Sequence, residues 1–146
     1  MNVKRLRQVL DYFREEPRRL EMYEWHHGGD QIDGLDNTPP CGTMACIAGA
    51  ACILGKTAKR SGGNDGQYLA PEKGWDISAK KLLGLTVPQA DRLFRPDRST
   101  SAIQQGSKNA WPKKFRTAYN RAKTPEGRLK ATIARVENFI KTRGAE

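Results

Sequence analysis

The chain has 146 residues, 37% of them hydrophobic and 29% charged, with a formal net charge of +10. That length suffices for one domain with a real core, and the balance of apolar to charged residues is not that of a disordered chain. The longest apolar run, from Met44 to Leu54, falls short of the roughly 18 residues that a membrane span requires.

The charge is one-sided. Residues 1–73 hold ten Lys/Arg and ten Asp/Glu, whereas residues 74–146 hold sixteen Lys/Arg against six Asp/Glu. The organisation expected is therefore a single domain, 1–146, with a neutral half (1–73) and a strongly basic half (74–146). A field so polarised favours an anionic partner: nucleic acid, an acidic protein surface or a phosphate-rich ligand. No signal-peptide core follows the charges of the amino terminus, so the expected location is the cytoplasm, where three cysteines stay reduced. An odd cysteine count also argues against a fully paired disulfide framework.

In chain order, residues 2–16 read as a helix: Val3, Leu6, Leu10 and Phe13 recur at helical spacing, Asn2 caps the start and Pro17 marks the stop. The glycines and prolines of 26–42 predict a loop. Thr43 then opens the most hydrophobic segment, which runs to Gly55 with no charge on any face, so a helix here must be enclosed by its neighbours. A Gly-rich connection is expected from Lys56 to about Trp75. Two short helices follow, one from about Ile77 to Leu83. The next is opened by Thr86, with Gln89 as its capping-box partner, and turns Ala90, Leu93 and Phe94 inward. Residues 95–109 are polar and predict a loop. Pro112 suits a helix start, with Trp111, Phe115, Ala118 and Ala122 as its apolar stripe. The last helix is capped by Thr124, has Pro125 in its first position, lines one face with Leu129, Ile133, Val136 and Ile140, and ends at Gly144. The fold expected is mainly α: a compact bundle of five to six helices around a buried central helix at about 43–55.

Three segments carry a family resemblance. They are Cys41-Gly-Thr-Met-Ala-Cys-Ile-Ala-Gly-Ala-Ala51; Leu83-Gly-Leu-Thr86 leading to Gln89-Ala-Asp-Arg-Leu-Phe94; and Trp111-Pro112 with Phe115, leading to Ile133-Ala-Arg-Val-Glu-Asn-Phe-Ile140. Together they resemble a group of small uncharacterised phage and bacterial proteins with a Cys-Gly-Thr-x-x-Cys-Ile-Ala-Gly-x-Ala signature, over most of the chain from about residue 20. The resemblance implies a phage or mobile-element origin. Small proteins of that origin bind and inhibit host machinery, defence systems included, or act as accessory nucleic-acid proteins. No functional residue is carried over.

The cysteines admit three readings. A zinc-stabilised module needs four N/S ligands; Cys41, Cys46, Cys52, His26 and His27 are the candidates, but neighbouring histidines rarely share one metal and no second knuckle exists. A Cys/His hydrolase would use Cys41 or Cys46, its thiolate favoured by a helix amino terminus, with His26 or His27 as base. The Cys-Gly at 41–42 is similar to the active-site helix of papain-like peptidases, yet those place their histidine after the cysteine and this chain has none after residue 27. The reading adopted is architectural. Cys46 and Cys52 are small core residues, Cys41 packs at the start of the helix, Thr43 caps it, and Gly42 and Gly49 allow close backbone approach.

In the basic half, Lys113, Lys114, Arg116, Arg121, Arg128 and Arg135 lie off the apolar stripes of their helices, and these six are the expected contacts to the anionic partner. Lys80, Lys81, Arg92, Arg95 and Arg98 form a further cluster. Residues 77–94 have the outline of a helix-turn-helix. However, Lys80 stands where that motif wants Ala, Pro88 sits early in the second helix, and Gln89, Asp91 and Arg92 make a thin base-reading set. Ser61–Gly66 lacks the Lys and Ser/Thr of a nucleotide-binding loop. Glu15/Glu16 and Glu21/Glu24 are carboxylate pairs by count alone. The function expected is thus non-catalytic, a phage-type accessory or inhibitor protein with no cofactor.

Overall fold

Asn2 opens the first helix as its sequence requires. Its Oδ1 accepts the Arg5 backbone N–H at 3.1 Å, and α1 runs Val3–Glu15 with Leu6, Val9, Leu10 and Phe13 buried. Burying each such side chain contributes roughly 1.5–3 kcal/mol, which holds α1 to the core more strongly than helix propensity does. Glu16 leaves the helical region, and Pro17–Arg19 form one 3-10 turn. The structure, a computed structural model, describes residues 1–22, 26–28, 43–60, 68–95 and 111–145, with the backbone alone for 26–28 and 43–44. The expected loops over 29–42, 61–66 and 96–109, with Cys41 and Arg98, lie outside the described residues.

The hydrophobic segment departs from expectation at its start. Thr43–Ala45 is a strand, β2, paired antiparallel with β1, His26–Gly28. Residues 26–28, expected in a loop, are therefore half of a two-stranded ribbon. Leu20 bridges to Ala45 from outside the ribbon, and the Glu21 N–H donates to the Ala45 carbonyl at 3.1 Å. The helix begins only at Ile47, so α2 is Ile47–Leu54 with Cys46, not Thr43, at the cap position. A cap with no side-chain hydrogen bond is tolerable because α2 is held from outside: Ile47 to Cys52 are all buried, against α1, α3 and α4. Small residues set how near those neighbours come. A Cβ on Gly55 would lie 2.6 Å from Leu82 of the next helix.

A short hairpin follows, β3 (Lys59–Arg60) against β4 (Tyr68–Leu69), inside the stretch expected to be a plain linker. The helix α3, Trp75–Leu83, starts one turn's fraction earlier than its periodicity indicated and is closed by Gly84 in the left-handed conformation (φ 59°). α4, Val87–Phe94, carries the full capping box: Gln89 N–H donates to Thr86 Oγ1 and Thr86 N–H to Gln89 Oε1, with Ala90, Leu93 and Phe94 buried. α5 is Lys113–Arg121 and α6 is Pro125–Lys141, the latter capped by Thr124 Oγ1 on the Gly127 N–H at 3.1 Å.

The chain is mainly helical, and its six described helices share one contiguous apolar cluster, with α5 packed on α6 and α1 touching both α2 and α6. Two apolar stripes lie rotated from those expected. In α5 the buried residues are Phe115 and Tyr119, continuing from Trp111, while Ala118 is exposed. The larger ring at position 119 outcompetes the alanines for the core. In α6 the buried face is Leu129, Ala131, Thr132, Arg135, Val136 and Phe139, and Ile133 and Ile140 are half-buried at its edge. Among the described residues no helix is long and apolar enough to cross a membrane.

Candidate functional site

α5 turns its aromatic side chains inward and its cations outward. Phe115 and Tyr119 are one helical turn apart, so Lys113, Lys114 and Arg121 fall on the opposite side, where all three are exposed. Arg116 lies at the edge of the buried face and is half-buried. Lys114 folds back so that its Nζ sits 4.7 Å from the Phe115 ring centroid. Residues 111–125 hold five Lys/Arg and no Asp/Glu, so no neighbour in sequence neutralises this face.

The other two expected contacts are placed differently. Arg128 Nη1 lies 3.4 Å from Glu21 Oε2, and Tyr119 OH both donates to Glu21 Oε1 (3.4 Å) and accepts the Met22 N–H (3.0 Å). That charge is countered within the fold. Arg135 is fully buried and does not reach a partner's surface. Its Nη2 donates to the Arg92 carbonyl at 2.9 Å, and its guanidinium carbon lies 5.3 Å from the Phe139 ring, 5.8 Å from Phe115 and 6.0 Å from Trp111. The inward placement of Arg135 has a clear cause. The last carbonyls of a helix lack intrahelical donors, and at the carboxyl end of α4 two of them are served from elsewhere, Arg92 by Arg135 and Leu93 by Trp111 Nε1 (2.8 Å). A cation there also meets the negative end of the helix dipole.

The reverse contacts occupy α4's outer side chains. Arg92 Nη1 donates to the Gly144 carbonyl at 2.6 Å and Gln89 Nε2 to the Arg143 carbonyl at 2.7 Å. Arg95 pairs with Asp91 across 3.8 Å. Of the residues that a recognition helix would offer to bases, Gln89 and Arg92 are thus spent on the chain's own carboxyl-terminal turn and Asp91 on Arg95.

Cys46 stands at the amino end of α2, and the backbone N–H groups of Ala48 and Gly49 do favour its thiolate. Burial outweighs them and pushes the thiol from 9.0 up to about 12. The thiolate-lowering expected of a helix start fails because water is excluded from the site. Burial also raises Cys52, whose Sγ donates to the Trp75 carbonyl at 3.5 Å and so ties α2 to α3. Cys41 and the side chains of His26 and His27 lie outside the described residues; among those described, no cluster of three His, Cys, Asp or Glu is suited to a metal.

A pH dependence follows. The unfolded chain releases the Cys46 proton near 9 and the folded chain near 12, so above pH 9 the unfolded state binds fewer protons and stability falls. Between pH 8 and pH 10 the wild type is expected to lose on the order of 1 kcal/mol more than Cys46→Ala does. Urea unfolding of both proteins at the two pH values measures the difference; parallel losses would rule the explanation out. Both Cys46 and Cys52 are also expected to resist alkylation until denaturant is added.

A second surface was not foreseen. A groove of about 690 Å³ opens between the start of α1, the β3–β4 hairpin and α3, with Leu69, Ile77 and Leu82 along it and Arg5, Lys59, Lys73 and Lys81 around it. Only Lys81 among these had been grouped with a basic cluster. Ile77 stands off the stripe of Ala79 and Leu83 in α3, which was the available signal, whereas Leu69 lies in a strand of two residues and gave none.

Fold and surfaces together define a mainly helical, strongly basic protein with one purely cationic helix face and one cation-rimmed apolar groove. Set against protein-family models, curated proteins and solved structures, the chain matches none of them.

Proposed function

We propose that the protein is a non-catalytic accessory protein, of the phage type its cysteine-motif resemblance implies, that binds the phosphate backbone of a nucleic acid through the outer face of α5. One observation carries the reading. From residue 98 to residue 125 the chain has seven Lys/Arg and no Asp/Glu, and three of those cations stand exposed together on α5. That face has no large exposed apolar side chain; among the described residues the exposed ones are Met1, Leu54, Leu69, Ile77 and Val87. Protein interfaces are anchored by buried aromatic or aliphatic residues, whereas phosphates need only positive charge within reach. Cations of this kind position a nucleic acid and do not read its sequence.

The test is fluorescence anisotropy of labelled single- and double-stranded DNA and RNA across a salt series. The expected result is a linear fall of log affinity with log salt, the slope being about −0.9 per duplex-DNA phosphate neutralised. The triple variant Lys113→Glu, Lys114→Glu, Arg121→Glu is expected to bind at least about 100-fold more weakly at low salt, with an unchanged circular-dichroism spectrum. Equal affinity of variant and wild type, or no binding of either at low salt, sinks the nucleic-acid reading.

A further inference from the structure

We propose that the groove between α3 and the β3–β4 hairpin docks an acidic, amphipathic segment of a partner protein. It shares no residue with the α5 face, so it goes beyond the nucleic-acid reading and stands or falls separately. The floor is aliphatic. Leu69 is 58% and Ile77 51% exposed, and the half-buried Leu82 lines the groove with them. Two large aliphatic side chains left to water at one place, with cations around them, offer a partner an apolar anchor.

The rim decides what covers it. Arg5, Lys59, Lys73 and Lys81 surround the floor, and among the described lining residues Glu72 is the one carboxylate. Arg5 is held in place by its Nη1, which donates to the Leu82 carbonyl at 3.3 Å. Glu72 and Lys73 sit in a tight turn closed by the Gly74 N–H on the Pro71 carbonyl at 2.8 Å. Lys59 and Leu69 are directly paired across the hairpin, which places a cation beside an aliphatic side chain by register. An apolar stripe flanked by Asp and Glu complements this arrangement on both counts. A nucleic acid complements only the rim. The floor offers no aromatic ring on which a base could stack, and phosphates gain nothing from Leu and Ile. A second copy of this chain carries the wrong charge.

The full chain is to be panned against a random peptide display library, with counter-selection on the double variant Ile77→Asp, Lys81→Glu, whose two sites are surface positions on α3. Enriched peptides are expected to carry aliphatic residues at helical or alternating spacing with Asp or Glu between them. A synthetic peptide of the leading sequence is expected to lose at least about tenfold in affinity to the double variant and to Leu69→Ser, and to bind the α5 triple variant as it binds wild type. Enrichment of neutral or basic peptides overturns the proposal, as does equal binding of a scrambled peptide of the same composition. Displacement of the peptide by an oligonucleotide from the α5 triple variant would assign the groove to nucleic acid, and loss of self-association in the Ile77→Asp, Lys81→Glu variant would assign it to a second copy.

Discussion

Replacing Arg135 with alanine is expected to destabilise the fold by about 3–5 kcal/mol, the range of the severest single substitutions. At roughly 3–4 °C per kcal/mol for a chain of this size, the melting temperature should drop by about 10 °C or more. Two losses combine. The substitution empties the space that the guanidinium fills between the rings of Trp111, Phe115 and Phe139. It also strips the Arg92 carbonyl of the donor at 2.9 Å, and a buried hydrogen bond from a charged group contributes about 1.5–3 kcal/mol. Arg135→Met separates the two, because methionine retains most of the volume and none of the donors; it should cost less than alanine. Thermal and urea unfolding decide the matter. An Arg135→Ala midpoint near that of wild type would mean that the side chain lies elsewhere, and the residue would return to the list of surface contacts.

Trp111→Ala should cost a similar amount, about 3–5 kcal/mol. Trp111 is 2% exposed, meets Tyr119 edge to face with centroids 5.9 Å apart, and caps Leu93 through Nε1. Trp111→Phe keeps a ring but not the donor, and is expected to fall between wild type and alanine. Because Trp111 and Arg135 line one space and close the same helix end, their effects should not add. The double alanine variant is expected to be more stable than the two single losses imply, by about 0.5–3 kcal/mol. Strict additivity in that double-mutant cycle would show that the two caps act independently, contrary to the packing described.

Of these two residues, Trp111 was expected on an apolar stripe and is buried there, whereas Arg135 shows where sequence reasoning reached its limit. Helix starts were legible because a cap joins residues three apart: Asn2 with Arg5, Thr86 with Gln89 and Thr124 with Gly127 each form the bond their spacing anticipates. The apolar residues of α1 and α4 were legible for the same reason, since one face of one helix is a local property. So were Lys113, Lys114 and Arg121, which are exposed because Phe115 and Tyr119 claim the other side of α5.

Thr43–Ala45 was not legible as a strand. An uncharged run with no periodicity is compatible with either state, and its pairing with His26–Gly28 chose between them. Arg135 was assigned to the surface because it lies off the stripe of Leu129, Ile133, Val136 and Ile140, yet the buried face of α6 is rotated to include it with Thr132, Val136 and Phe139, and the carbonyl that draws it inward belongs to α4. The groove is assembled from Arg5, Lys59, Leu69, Ile77 and Lys81, residues drawn from four separate elements. By itself the sequence determined the mainly helical class, the starts of α1, α4 and α6 and the total charge, because each depends on near neighbours or on composition. Which cations face solvent, which are consumed in closing helix ends, and where aliphatic side chains are left exposed beside them was decided by the tertiary structure. Those outcomes depend on carbonyls, rings and charges brought together from distant parts of the chain.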